Sequence, residues 1–466
     1  MRKSTEIDLC TGSIVKKLIL YALPLLFSNV LQLLFNAADI AVLGQFVGDH
    51  AVAAVGATAA LINLIVGLFV GLSVGANVLV ARFAGANDRE RAHRTVGTSV
   101  IVSLITGVFL AAVGFFAAEV FLRWMNCPEN ILGMAAKYLR IYFLGMPIMM
   151  LYNFCASILR AAGDTLRPLF YLVIGGVFNV GLNLFFVLVM KKDVEGVAVA
   201  TVVSQGVSAA LSLVTLAKGK GFSSLSLPYL KLYKRELADM MKIGIPAGLQ
   251  GCVFSVSNVL IQASINGFGD LAVTGNTVAG QFDGFIYQAM NAIALSALAF
   301  VSQNLGAGNL ERVRKSVRAS LVVVTVVGLA VSGLVLLFRR PLCGIMTDKE
   351  EVLAFAMLRL YYVATPYFLC GIMDVMSNSV RGLGYSTLAM TISLLGSCVF
   401  RIVWLNTIYW INPVLDMVYV VYPVSWALTA LIFIVLYFPL LKRTKRGLSA
   451  KSSVSGQVAE KAEIAG

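Results

Sequence analysis

Apolar residues come in runs of about 20 or more, the length that crosses the hydrocarbon core of a bilayer. The pattern predicts membrane-spanning helices over 14–38, 51–79, 95–118, 136–158, 168–190, 195–217, 241–266, 277–302, 317–338, 354–378, 386–411 and 417–441, twelve in all, with short polar connections between them. The first run breaks its own rule. Asn29, Gln32, Asn36 and Asp39 stand at i, i+3, i+7 and i+10, one stripe of a helix. Leu31, Leu33, Leu34, Phe35 and Ile40 fall mostly on the other sides. Lipid satisfies no polar group, so such a stripe turns inward. An Asp near mid-bilayer costs about 2.5–3.5 kcal/mol on insertion scales and marks a candidate functional site. The competing role is interhelical glue, a carboxylate held by hydrogen bonds from neighbouring helices.

Composition sharpens this picture. Of the 466 residues, 59% are hydrophobic and 13% charged, about half the charged share of soluble domains. The chain is expected to be a polytopic membrane protein made mostly of its spans. No short apolar stretch with a small-residue cleavage site precedes the first run, so a removed signal peptide is not expected. A net charge of +14 raises the question of nucleic acid, and its placement answers it. Lys16, Lys17, Arg82, Arg89, Arg91, Arg94, Lys218, Lys220, Arg312, Arg314, Lys315, Lys442 and Arg443 fall in one set of connections and tails. The opposite set holds only Arg123, Lys137, Lys191, Lys192, Arg339, Arg340 and Lys349. That asymmetry is the positive-inside pattern, and it puts both termini in the cytoplasm. The seven cysteines are scattered without a CxxC and read as small core residues. The two histidines, His50 and His93, sit near connections, which argues against a His-based metal site.

The chain is written twice at a shift of about 221 residues. Arg82-Phe83-Ala84-Gly85-Ala86-Asn87 matches Gln303-Asn304-Leu305-Gly306-Ala307-Gly308. Tyr138-Leu139-Arg140 through Pro147 matches Met357-Leu358-Arg359 through Pro366, and Leu159-Arg160-Ala161-Ala162-Gly163 matches Val380-Arg381-Gly382-Leu383-Gly384. Six spans per repeat return the chain to the same side, so the repeats are parallel and related by an axis along the membrane normal. The expected organisation is a cytoplasmic segment 1–13, a six-helix lobe 14–217, a linker 218–240, a second six-helix lobe 241–441 and a disordered cytoplasmic tail 442–466. The two bundles are expected to face each other across a central cleft. Within the linker, Leu230-Lys231-Leu232-Tyr233-Lys234-Arg235 has the pattern of a short interfacial amphipathic helix. Asn87-Asp88 and Gly308-Asn309 read as helix caps.

Further polar groups lie inside the spans. Asn179 and Asn183, at i and i+4, share a face of the fifth span, and Thr201, Ser204 and Gln205 stand in the sixth. One carboxylate among amide and hydroxyl oxygens suits a proton or one sodium ion. It does not suit a divalent or transition metal, which needs more charge or His/Cys ligands. Desolvation disfavours a bare carboxylate, so Asp39 is expected to take up and release a small cation if water reaches it in one state only. The second half differs. Its first span carries no acid, and Gln281, Asp283, Asp374 and Arg401 make a candidate substrate-cleft or polar network with Gln32 and Asn36 of the first half. Arg401 is expected to pair with Asp374 or Asp283. Arg140 and Arg359 are expected to snorkel at the outer ends of their spans.

The ordered set of Asp39 with Leu43-Gly44, Arg82-Phe83-Ala84-Gly85-Ala86, Leu159-Arg160-Ala161-Ala162-Gly163-Asp164, Val177-Phe178-Asn179-Val180-Gly181-Leu182-Asn183, Gln303-Asn304-Leu305-Gly306-Ala307-Gly308 and Val380-Arg381-Gly382-Leu383-Gly384 resembles the multidrug and toxic compound extrusion (MATE) family over roughly 14–441. The resemblance implies an antiporter that expels organic, often cationic, compounds in exchange for entering sodium ions or protons. It also implies a cation site at Asp39, Asn179, Asn183 and Thr201. The chain departs at Asn183, where many relatives carry an Asp, and at Phe254, near where the NorM-like branch has an acid on the seventh span. Those departures place it nearer the DinF-like branch.

The expected protein is thus an all-α, twelve-helix, cation-coupled efflux transporter of the bacterial plasma membrane. It is expected to act as a monomer among membrane lipids on a small organic substrate, with no nucleic acid, no cofactor beyond H⁺ or Na⁺ and no catalysis. A lipid-linked oligosaccharide flippase of the same superfamily is the competing transporter. Its pyrophosphate cargo calls for several intramembrane cations, and here they are few. A membrane-embedded enzyme would need paired carboxylates or clustered histidines in the spans, which the sequence lacks.

Overall fold

In a computed structural model the protein is described over residues 6–464, and every regular element there is helical. The first five residues of the expected N-terminal segment and the last two of the tail lie outside the described residues. In order, the helices are α1 (Ile14–Phe46), α2 (Asp49–Gly85), α3 (Arg89–Trp124), α4 (Glu129–Leu144), α5 (Met146–Ala161), α6 (Leu166–Leu184), α7 (Val194–Lys218), α8 (Lys234–Asn266), α9 (Asp270–Gly306), α10 (Leu310–Leu337), α11 (Arg339–Gly344), α12 (Glu350–Ala364), α13 (Tyr367–Gly382), α14 (Ser386–Ser393), α15 (Phe400–Asn406), α16 (Ile408–Ile411) and α17 (Leu415–Ile464). Among the described residues, ten helices are long and apolar enough to cross a bilayer, and up to twelve spans result if each of two bent pairs is one span.

The bent pairs are the expected fourth and tenth spans. α4 and α5 meet at 50°, and α12 and α13 at 43°. The cause is in the sequence. Pro147 and Pro366 stand at the breaks, where each removes a helical N–H and clashes with the preceding turn. The duplication is legible in backbone angles as well. Gly48 and Gly269, Gly163 and Gly384, and Asn87 and Gly308 all hold positive φ at matching places in the two halves. The predicted caps are present: Asp88 accepts from the Arg91 amide at 3.0 Å, and Asn309 from the Arg312 amide at 2.9 Å.

The chain divides into two compact units. One holds Lys16–Val256 with the segment ending at Leu9, and the other holds Cys10–Val15 with the chain from Ser257. The boundary therefore falls within α8. In the first unit, α3, α4 and α5 bury Leu110, Leu122, Leu139, Phe143 and Met150. There α2 and α8 cross backbone to backbone: a Cβ on Gly71 would sit 2.2 Å from the Gly248 nitrogen, and one on Gly248 would sit 2.0 Å from the Leu68 carbonyl. Small residues allow that approach where lipid provides no hydrophobic drive between helices. In the second unit, α9 buries Met290, Ala294, Ala297 and Phe300 fully.

Two expectations are corrected. Residues 230–233 form no amphipathic helix; a single 3₁₀ turn, Leu227–Tyr229, precedes α8. Tyr233 there gives its amide to the Thr98 hydroxyl at 3.2 Å, which ties the segment to α3. The tail is not disordered: α17 continues to Ile464. Its Lys, Ala, Glu and Gln residues are good helix formers, and no proline follows Pro439.

The N-terminal segment docks on the first unit. The Ile7 amide donates to the Gly163 carbonyl at 3.1 Å, and a Cβ on Gly163, whose φ is +96°, would strike the Ile7 backbone. Burial, reinforced by the charge of Asp164 and opposed by Arg167, raises the Glu6 carboxyl above its ordinary range. The docked segment thus favours protonated Glu6. Docking is strongest below the ordinary carboxylate range and is lost as pH rises through the raised docked value. Hydrogen exchange at Ile7 is expected to show protection that fades over that window, and Glu6→Gln to flatten the dependence; equal slopes in the two proteins would refute it.

The crossing of α2 and α8 yields a stability test. Gly248→Val is expected to cost about 1–3 kcal/mol through overpacking. Gly133→Ala, on an exposed helical site with nothing within 4 Å of the new Cβ, is expected to be neutral or to gain up to about 1 kcal/mol. Unfolding of the purified protein in detergent compares the two.

Candidate functional site

The four residues of the expected cation site meet inside the first unit. Asp39 comes from α1, Asn179 and Asn183 from α6, and Thr201 from α7. α6 and α7 pack along their length, because Gly175 lets Ser204 and Ser208 of α7 approach the α6 backbone. The amide of Asn183 donates to Asp39 Oδ1 at 2.5 Å and to Asn179 Oδ1 at 3.4 Å. The Thr201 hydroxyl lies 3.2 Å from Asp39 Oδ2 and 2.9 Å from the Val197 carbonyl, with one proton to serve both. Asn179 Nδ2 reaches the Thr201 oxygen at 3.4 Å. Asp39 is 7% exposed and Asn183 fully buried.

Every partner of the Asp39 carboxylate is neutral, and among the described residues it forms no ion pair. The Asn183 carbonyl oxygen is buried and has no hydrogen-bond partner there. One carboxylate, the Asn179 amide oxygen and a hydroxyl therefore meet without a counter-charge, with the Asn183 amide nitrogen turned toward the carboxylate. That set fits a proton or a singly charged hard cation and gives too little charge for a divalent one. No cluster of His, Cys, Asp and Glu that would hold a metal exists among the described residues.

Asp39, Asn179 and Thr201 line a cavity of about 330 Å³ in the same unit, and Asn183 stands behind them, outside its lining. Gln32 and Asn36 of the α1 stripe line it with Asp39, and Asn29 does not. Phe35 also lines it, its ring seated against Gly176 where a Cβ would collide. Tyr138 and Tyr142 of α4, stacked at 6.0 Å and 25°, form another part of the wall, with Met149, Tyr152 and Asn153 of α5. The sequence reading missed the tyrosines as site residues. The i, i+4 spacing of Tyr138 and Tyr142 in a span was the available signal, but lipid-facing aromatics share it. Among the described residues, no Lys, Arg or His lines the cavity.

The second unit corrects the expected pairing. Asp283 pairs with Arg359, not Arg401: Nε and Nη2 of Arg359 donate to Asp283 Oδ2 at 2.9 and 2.8 Å. Arg359 also donates to Asn276. It does not snorkel, since the side chain is 11% exposed. The carboxylate on α9 lies within its reach, and a paired guanidinium is cheaper inside than a lone one. Arg140, at the matching place in the first half, is 39% exposed and pairs with Glu119 at 3.5 Å, as expected of a span end. Arg401 donates to Ser425 Oγ at 3.0 Å, Asn258 Oδ1 at 3.4 Å and Ser257 Oγ at 3.5 Å. Asp374 forms no ion pair among the described residues, and Gln281 is exposed. Arg359 with Asp283 and Asn276, and Arg401 with Ser425, Asn258 and Ser257, therefore form two separate hydrogen-bonded groups.

A profile of the family described as MatE matches residues 24–185 and 246–406. The chain belongs to this family. It is a multi-pass membrane transporter of the MATE type, and its all-α fold with ten to twelve spans agrees. The probable multidrug resistance protein YoeA of Bacillus subtilis is 28% identical over 80% of this chain and 82% of its own. The probable multidrug resistance protein YpnP of the same organism is 27% identical over 84% and 88%. The Vibrio cholerae MATE transporter VcmN in its bent form superimposes with a TM-score of 0.85 over 94% of this chain and 99% of its own, at 24% identity, and shares the fold.

The buried pair of the second unit gives a test. Arg359→Met leaves Asp283 charged and unpaired, and is expected to destabilise the protein by about 3–5 kcal/mol. Asp283→Leu combined with Arg359→Met is expected to recover most of that loss, because the uncompensated charge goes with the pair. A double variant no more stable than the single one, in detergent unfolding, would refute the pairing.

Proposed function

We propose that this MATE protein is a cation-coupled antiporter that exports organic compounds, cationic or lipophilic, by alternating access. The reading rests on one observation above all: a buried carboxylate, Asp39, is held by neutral donors alone on the wall of a cavity. A carboxylate already neutralised by Arg or Lys has little to gain from a passing cation. Asp39 has everything to gain, and Asn183, whose oxygen is unpartnered, supplies a further ligand if its amide turns over.

The same cavity suits the cargo. Phe35, Tyr138, Tyr142 and Tyr152 offer aromatic faces, which attract organic cations and stack flat lipophilic rings. Substrate and coupling cation then compete for one carboxylate. Proton or sodium binding at Asp39 weakens the hold on a cationic substrate, and cation release restores it. The absence of Lys, Arg and His from the cavity lining among the described residues disfavours a pyrophosphate-bearing cargo, and with it the flippase reading. The relatives named multidrug resistance proteins support export of drugs. The charge asymmetry of the connections supports cytoplasmic termini in a bacterial plasma membrane. The protein is read as a monomer surrounded by lipid, with H⁺ or Na⁺ as its only inorganic partner.

The test is transport in proteoliposomes under separately imposed sodium and pH gradients. Asp39→Asn is expected to drop gradient-driven export of a cationic dye to the passive leak while the protein still folds and inserts. Wild-type rates in that variant would remove Asp39 from the coupling. Asn183→Asp adds a second carboxylate and is expected to shift the cation preference or the pH optimum; an unchanged profile would put Asn183 outside the site.

A further inference from the structure

Arg401 is a buried cation of the second unit to which the fold gives no carboxylate partner among the described residues. It is 3% exposed, and among the described residues it forms no ion pair. Its guanidinium donates only to neutral oxygens: Nε to Ser425, and Nη1 to Ser257 and Asn258. The Ser425 proton is committed to the Tyr422 carbonyl at 2.8 Å, so its lone pairs are what Arg401 meets. The Tyr422 ring lies beneath the guanidinium at 4.8 Å, and Arg359 approaches the same ring at 5.8 Å. Nη2 of Arg401 makes no hydrogen bond to a described residue. Of the residues around it, Asn258 is exposed and Tyr422 partly so.

A buried arginine oriented by hydroxyls and an aromatic face, with Nη2 left without a hydrogen bond, is how proteins prepare a fork for a carboxylate. We propose that Arg401 binds a singly charged anion in the second unit, either the carboxylate of a zwitterionic organic substrate or free chloride. A carboxylate takes the Nη1–Nη2 edge through two parallel hydrogen bonds; chloride takes the same edge as a point charge. Ser425 and Ser257 act as positioning residues that hold the guanidinium plane. Asp39 in the first unit plays no part in this binding, so the site stands or falls apart from the coupling reading.

Equilibrium binding to the purified full chain in detergent, with no gradient, tests it. The probes are chloride alone, and a matched pair of dyes: rhodamine 110, which carries a free carboxylate, and rhodamine 123, its methyl ester. If the substrate carboxylate is the ligand, Arg401→Gln weakens rhodamine 110 about tenfold or more and leaves rhodamine 123 unchanged. If chloride is the ligand, chloride raises the melting temperature of the wild type saturably, beyond methanesulfonate at equal ionic strength, and Arg401→Gln abolishes the rise. Arg401→Lys keeps a point charge without the fork. It is expected to retain the chloride effect and lose the preference for the carboxylate dye, and it serves where the Gln variant does not fold. Equal weakening of both dyes with no chloride effect, or a wild type that neither prefers rhodamine 110 nor responds to chloride, overturns the proposal.

Discussion

The first unit depends on a carboxylate that has been taken out of water and given no opposite charge. Asp39 is buried in a span, and its partners are an asparagine amide and a threonine hydroxyl. Such donors orient an anion but do not cancel it, and the apolar surroundings make the remaining imbalance costly. The rest of the unit is arranged around that fact. α6 and α7 pack closely enough to bring three polar side chains to Asp39, and α4 and α5, bent at 50° beside Pro147, both contribute side chains to the cavity wall. Filling the space with apolar side chains would be more stable and would leave nothing for a cation to do.

The two halves share a skeleton and differ in what they bury. Both repeat the positive-φ glycines, the caps and the proline-bent span. The first half buries a lone acid; the second buries an acid already paired, at Asp283 and Arg359, and a lone guanidinium at Arg401. Duplication preserved the parts that fix helix geometry, because a changed turn disrupts every contact that follows it. The polar side chains were free to diverge, since each needs only local partners. Arg140 and Arg359 illustrate the point: matching positions in the repeats, one at an exposed span end and one sealed against a carboxylate.

The sequence by itself determined the class, the number of spans and the duplication, because bilayer thickness imposes a run length and a polar stripe in lipid has only one direction to face. It also singled out Asp39 and the Asn179–Asn183 face, since an acid in an apolar run and an i, i+4 pair are visible without coordinates. It predicted the caps from Asp88 and Asn309 for the same reason: a cap is settled within four residues. Only the tertiary structure decided which buried charges pair. Arg359 and Asp283 are 76 positions apart, and nothing local distinguishes that pairing from Arg401 with Asp283 or Asp374. Only the fold brought Tyr138 and Tyr142 to the wall of the Asp39 cavity, because an aromatic residue in a span looks the same whether it faces lipid or cargo. Local rules fix helices and the direction a side chain faces; the identity of the neighbour it meets is set by how helices cross, and that is written across the whole chain at once.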